Sequence, residues 1–523
     1  MSKKTVKLPK IDESELTPLV IQLVEIVQQQ SEQIQTLRDE IAILKGNKPK
    51  PKIKPSGMET GNSGNKPNNK PRNTTQRKKT ADLDIHEKKI IPAKNPPAGS
   101  VFKGYKRFVV QGLVIESHNI EYQLERWQTP NGRYVDAILP ENVSCHFSPT
   151  IISFILYQYH QCHVTQPLLL EQLREYGVDI SSGQLNRLLV DDHERFDEEK
   201  NALLPAGLAV SSYINVDDTG ARHQGKTGVC THIGNPWFAW FESTDSKSRI
   251  NFLHLLQAGH QDYRINEEAL AYMQAQKLPQ KPFNQLLADM QAFSDKTLWE
   301  AHLKKLGIDH TRHKRIATEG ALIGGLVERG LNPDLVIVSD DAGQFNVLLH
   351  ALCWVHAERL IHKLIPCGEE QREALASTRS QIWGFYADLK AYKALPDEEK
   401  KLTLTQRFDE IFTQKTDYVT LNLALNRLHK NKRELLLVLN RPDIPLHNNL
   451  SESDIREYAK RRKVSGSTRS DTGRKRRDTF ISLKKTCRKL GISFWQYLQD
   501  RVEKVNAIPR FSELIRQRAA NPA

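Results

Sequence analysis

From residue 211 onward the chain leaves helical spacing and reads as strands, and this change of period constrains the fold more than any other feature. The runs SSYINVDD, GVCTHIG and PWFAWFEST have strand length and strand patterning, with Gly225-Lys226 and Gly234-Asn235 as the turns between them. A helical segment over 247–256 follows. Far downstream, DLVIVS (334–339) is a short apolar run suited to a strand buried on both faces.

Three antiparallel strands, a helix, and a further buried strand followed by helices is the element order of an RNase H-like α/β fold. Two of the strands end in acids on this reading: Val216-Asp217-Asp218 closes the first and Ser339-Asp340-Asp341 the buried one. A carboxylate at the tip of a hydrophobic strand suffers desolvation and like-charge repulsion unless a cation neutralises it, so two such tips side by side point to a metal site. Mg2+ takes oxygen ligands and keeps several waters, so two or three carboxylates suffice. Either acid pair taken alone reads first as turn or cap residues. A third acid, Glu452, follows the turn Pro445-Leu446-His447-Asn448-Asn449, whose Asn can cap a helix. Glu452 would lie in the first turn of that helix, with Arg456 one turn on. On helix grounds alone it is an exposed residue favoured by the helix dipole.

The flanks are organised differently. Val20, Val27, Ile34 and Ile41 occupy heptad position a, and Leu16, Leu23, Leu37 and Leu44 position d, with Gln30 interrupting the d row. β-Branched residues at a with Leu at d predict a parallel two-stranded coil over 14–45 and hence a homodimer or higher oligomer; an amphipathic helix packed on its own domain is the alternative. Residues 46–98 form a basic linker rich in Lys, Pro, Asn and Gly, too poor in large apolar residues to order itself. FVVQGLVIES (108–117) and YVDAIL (134–139), around the turn Pro130-Asn131-Gly132, predict a small β module over 99–148. Residues 149–205 read as helices. Pro167 to Tyr176 is amphipathic, Gly177 closes it, and Ser181 caps a second helix running to Leu189. This is the outline of a helix-turn-helix, although any two packed helices share it.

Charge is concentrated. Residues 46–80 hold ten Lys/Arg against one acid and residues 456–489 fourteen against three, so these two stretches exceed the whole chain's net +14 and the remainder is acidic. Such patches fit phosphate contacts, though charge runs also serve as solvated faces. The six cysteines show no Cys-x-x-Cys pair, so neither a disulfide framework nor a zinc knuckle is written into the spacing. The polar N-terminal segment lacks an apolar signal core and no apolar run approaches a membrane span. The expectation is a cytoplasmic, nucleoid-associated protein of bacterial type, with no membrane partner.

The segments VDDTGARH around Asp217, SDDAGQFN and CWVHAERL from Ser339 onward, and PLHNNLSESDIR around Glu452 resemble the transposases of the insertion sequence 66 family in order, internal spacing and flanks. The likeness runs loosely over most of the chain and is specific in those segments. It implies that Asp217, Asp340 and Glu452 are the catalytic acids and metal ligands of a DDE transposase, which would hold two Mg2+ ions, with Mn2+ as a substitute. Cys353, Trp354 and His356 match a further motif of the family; core packing is the plainer reading for the first two. His447 stands where the family has Asp, Ser453 and Glu358 where it has Arg, and the chain is similar to a divergent member.

The expected layout is thus an RNase H-like core over 206–356, interrupted by a helical insertion at about 259–332, then a helical insertion domain over 357–440. The last part of the core spans 441–505, with a tail over 506–523. Arg456, Lys460, Arg461, Arg462, Lys463, Arg474, Lys475, Arg476 and Arg477 are the candidate DNA contacts, since they follow Glu452 in sequence. The expected partner is DNA, both element ends and target. Two other classes stay open: an RNase H-like nuclease or resolvase, and a catalytically inactive DNA-binding dimer derived from a transposase.

Overall fold

In the computed structural model the described residues are 30, 85–92, 97, 99–140 and 145–521. The heptad segment 14–45, apart from Gln30, and most of the 46–98 linker lie outside them. The expected β module is much reduced. Among its described residues only β1 (Arg126–Gln128) and β2 (Tyr134–Asp136) pair, as an antiparallel hairpin around Pro130-Asn131-Gly132. FVVQGLVIES forms no strand, which corrects the sequence reading. A strand needs a neighbour for its N–H and C=O groups and a surface to cover its apolar face, and here Phe108 is 89% exposed and Leu113 84%.

Helices Pro149–His160, Gln166–Glu175, Ser182–Val190 and Glu194–Val210 follow. The second closes through Gly177, whose φ of +81° suits a residue without Cβ. The third opens on a reciprocal capping box between Ser181 and Gln184.

The centre of the molecule is a mixed five-stranded sheet. β3 (Tyr213–His223), β4 (Lys226–Gly234) and β5 (Ala239–Thr244) form an antiparallel meander. The β3–β4 turn, Gln224-Gly225, has positive φ at both residues, as a tight two-residue hairpin requires. Helix Arg249–Leu256 follows. The 259–332 insertion is largely helical, with a two-residue pairing of β6 (Tyr263–Arg264) and β7 (Ala292–Phe293). β8 (Val336–Ser339) then lies parallel to β3, and β9 (Leu349–Leu352) parallel to β8, giving the order β5-β4-β3-β8-β9. All four residues of β8 are buried, as its unbroken apolar run predicts.

Strand periodicity divides the core. Ile214, Val216 and Ile337 point into one cluster with the N-terminal and C-terminal helices and the first insertion. Val336 and Val338 point into another, with Trp354, Phe385, Phe408 and the helices of the second insertion. Those helices are Glu369–Ala394, Glu398–Thr413 and Val419–Lys430.

Two late helices close the β5 side. Asn449–Ser465 packs on β3 and β4, and Asp471–Leu490 lies along β5. β5 is an edge strand, and its outward N–H groups meet helix side chains instead of solvent. Ser243 donates to Asp478 Oδ2 (2.7 Å), Phe241 to Ser482 Oγ (2.9 Å) and Ala239 to Thr486 Oγ1 (3.1 Å). Every second strand residue advances about 6.6 Å and every fourth helix residue about 6 Å, so the two rows stay in step. Among the described residues no helix is long and apolar enough to cross a membrane.

Candidate active site

The parallel pairing of β3 with β8 runs from Tyr213↔Val336 to Asn215↔Val338. Two residues further along each chain come Asp217 and Asp340, the same register step on neighbouring strands about 4.8 Å apart. Sequence reading ends β3 at these acids. In the structure β3 continues to His223, because residues 218–223 keep their antiparallel partner β4. What stops beyond Asn215 is the parallel pairing, since the chain leaves β8 at Ser339. The acids sit where the sheet parts.

Their neighbours are spoken for. Asp218 accepts from Gln344 Nε2 (2.7 Å) and pairs with Lys247 Nζ (2.9 Å), and Asp341 takes both Nε and Nη2 of Arg427 (3.1 and 2.6 Å). Among the described residues no ion pair reaches Asp217 or Asp340. Asp217 is therefore a poorly solvated carboxyl beside other acids. Burial, aided by the charges of Asp340, Asp218 and Glu452, pushes its pKa up to about 7 against one opposing bond from the Asp218 N–H.

Glu452 comes from a helix fastened to the same strand. Asn448 Nδ2 donates to Val216 O (2.7 Å) and its Oδ1 accepts from Asn215 Nδ2 (2.8 Å), while its backbone N–H reaches Cys353 Sγ (3.1 Å). One turn further, Ser451 Oγ lies 2.5 Å from His232 Nδ1, and Asp454 stands 3.3 Å from His232 Nε2. His232 is the register partner of Asp217. The helix is thus tied to β3 in front of Asp217 and to β4 beside it, all through buried side chains.

The Glu452 carboxylate has three cationic or ionisable neighbours: Arg456 Nη2 at 3.2 Å, Arg359 Nη1 at 3.4 Å and His356 Nε2 at 3.6 Å. Among the described residues no three His, Cys, Asp or Glu side chains already converge as a metal-binding group. The donors present are nonetheless hard oxygens, two of them without a counter-charge among the described residues, which suits a divalent cation of the Mg2+ class.

Residues 310–476 match the model of the Transposase IS66 family, a span holding Asp340, the CWVHAER segment and Glu452 but not Asp217. An uncharacterized protein, y4jO, of Sinorhizobium fredii (strain NBRC 101917 / NGR234) is 44% identical over 303 residues, covering 57% of this chain and 94% of the relative. The chain belongs to the IS66 transposase family.

Within this IS66-family chain the departures from the family pattern have local accommodation. His447 Nδ1 accepts a long bond (3.4 Å) from the Asn449 N–H at the helix start. Asn448, read from sequence as a possible cap, spends its side chain on β3 instead. Glu358 is buried, and Arg379 Nε meets it at 2.6 Å. Ser453 is exposed.

The basic run needs correction. Arg461 is buried, stacked over Tyr159 (3.8 Å) and donating to its carbonyl; Arg476 is buried against Asp197, Glu194 and Val190 O. Neither is presented to DNA. Both lie on the inner faces of their helices, which the charge run hides because basic residues occupy every face. Arg462 bonds Gly220 O on β3, Arg474 pairs with Asp245, Lys475 with Asp197, and Arg477 holds Ser465 and Gly466. Arg456, Lys460 and Lys463 are exposed, and their spacing from Glu452 sets all four on one helix face. Sequence reading missed Asn215, His232, Asn448 and Ser451 as the groups that fix the acids. Only the Asn pair gave a signal, as part of a turn.

Proposed function

We propose that this chain is a DDE transposase that cuts DNA at the ends of a mobile element and joins those ends to a target. The observation that carries the reading is the register-matched position of Asp217 and Asp340 on adjacent parallel strands, with the Glu452 helix clamped to the same strand by Asn448. The strand order, three antiparallel then two parallel, supports an RNase H-like core. Asp217, Asp340 and Glu452 would hold the cations. Two bound Mg2+ ions, or Mn2+, would polarise the attacking oxygen and stabilise the leaving one in an in-line displacement.

The chain's own groups supply the rest. Burial among other acids raises the pKa of Asp217 to about 7, so a cation beside it would favour its ionised form. Asn448, Ser451 and His232 hold the Glu452 helix at a fixed height on the sheet. Arg456, Lys460 and Lys463 form a cationic stripe leading away from Glu452, along which a phosphate backbone would lie. Helix Ser182–Val190, with Arg187 exposed, would enter a major groove, and the heptad segment would pair two copies. Work on DNA of this kind fits a cytoplasmic, nucleoid-associated protein.

The test is a cleavage and strand-transfer assay with duplexes carrying the sequences that flank the coding region, a target plasmid and Mg2+. The wild type should produce cut ends and joined products. Asp217→Asn, Asp340→Asn and Glu452→Gln should each lower both by more than about a hundredfold while binding DNA as before. Full activity in any of them removes that residue from the site. Cutting without joining would identify a nuclease, and binding alone an inactive DNA-binding protein.

A further inference from the structure

Arg359 belongs to no DNA-contacting run in the sequence, yet it converges on the third acid, at the carboxylate oxygen that Arg456 does not meet. It lies on helix Trp354–His362, close behind the second acid, and its Nη1 is 3.2 Å from His356 Nε2 as well as 3.4 Å from Glu452 Oε1. Arg456 approaches the other carboxylate oxygen, Oε2. The layering is unequal: the Glu452 side chain is 13% exposed, Arg359 38% and Arg456 62%. The carboxylate is the inner layer and the two guanidinium groups the outer one. Any polyanion reaching this site meets the arginines first.

A guanidinium presents a planar fork of donors that matches a phosphodiester's two free oxygens as well as it matches a carboxylate. The arginines now supply Glu452 with the positive charge that a cation would otherwise supply. We propose that Arg359 and Arg456 form a phosphate-operated latch: they hold Glu452 while no DNA is bound, and transfer to a phosphodiester when DNA arrives, which releases Glu452 to complete a cation site with Asp217 and Asp340. The inference rests on the cation-binding reading above and adds to it an order of events. DNA engages before the site closes around its ions, and the cutting centre stays incomplete away from its substrate. No bond is made or broken in the exchange; one anion replaces another on the same two side chains.

The test reads metal occupancy directly. Fe2+ with ascorbate and peroxide cuts a polypeptide beside the groups that hold the iron, so fragments ending near 217, 340 and 452 report the assembled site in the full chain. In the wild type these fragments should strengthen about tenfold on adding a short duplex oligonucleotide, the ratio that separates a major from a minor state. Asp340→Asn should abolish them. The double variant Arg359→Gln/Arg456→Gln should give them at the duplex-bound level with no DNA present, and should lose the dependence on duplex. Arg427→Gln removes one positive charge from neighbouring Asp341 and should keep that dependence, which separates a latch from simple charge removal. Equal cutting with and without duplex in the wild type, or loss of dependence in Arg427→Gln as large as in the double variant, overturns the latch and leaves the cation site standing. No cutting at these positions under any condition overturns both.

Discussion

Asn448 ties three segments together: β3 through Val216 O and Asn215, the start of the Glu452 helix through its own position, and the chain after β9 through Cys353 Sγ. Its side-chain amide has no water to fall back on, because it is 1% exposed. Asn448→Ala leaves the Val216 carbonyl and the Asn215 amide unpaired in the interior. We expect a loss of about 1–3 kcal/mol in urea unfolding, together with a fall in DNA cutting larger than that loss of stability explains. An unchanged unfolding curve would remove Asn448 from the clamp. At this scale Asp217 and Asp340 stand out in the sequence, since a carboxylate beside a buried strand is chemically conspicuous, whereas Glu452 is singled out only by the resemblance to the family. The clamp was not legible, because an Asn in a turn announces a cap and gives no sign of a strand carbonyl far away in sequence. Arg461 and Arg476 misled for a related reason: a basic run gives the charge but not the helix face that each residue occupies.

At the level of elements, the central meander and β8 were readable because apolar spacing decides them. β9 was missed. Its four residues include His350, whose Nε2 is held by Ser339 Oγ (2.7 Å) at the end of β8, so a polar residue is accommodated in a buried strand by a partner that spacing cannot reveal. FVVQGLVIES shows the opposite error, strand patterning without a neighbour to pair with. The late helices show what replaces pattern: the polar row Asp478, Ser482 and Thr486 sits inside, on the β5 edge, where an amphipathic reading would turn it to solvent. The Glu457 pairings join the same elements. His163 Nε2 and Lys484 Nζ both stand 2.7 Å from its Oε1, and these partners outweigh burial and hold its pKa well below the usual carboxylate range. A folded pKa below the unfolded one contributes stability above the unfolded value, about 4.3, and loses it as pH falls toward the folded value. The wild type should therefore be more stable than Glu457→Gln at pH 7, and the gap should narrow progressively below about pH 4 in urea titrations. A gap independent of pH would mean that the carboxylate charge contributes nothing there.

For the molecule as a whole, the sheet separates two large cores, a third small cluster lying under the two late helices, and the insertions hang on opposite sides of the acid-bearing strands: 259–332 packs with the face of Ile214 and Ile337, and the helices after β9 with the face of Val336 and Val338. The acids stand at the rim between them, where Lys247 and Gln344 from one side and Arg427 from the other engage the neighbouring carboxylates of Asp218 and Asp341. Among the described residues, the arrangement thus leaves two adjacent acids without an ion-pair partner and a third held by arginines. The claim on which everything else depends is that Asp217, Asp340 and Glu452 serve one cation site on DNA. Anomalous scattering from crystals of the chain with duplex DNA and Mn2+ tests it directly. Manganese peaks are expected about 2 Å from carboxylate oxygens of all three residues; manganese bound elsewhere, with Glu452 still on Arg359 and Arg456 and remote from the two aspartates, would contradict the shared site.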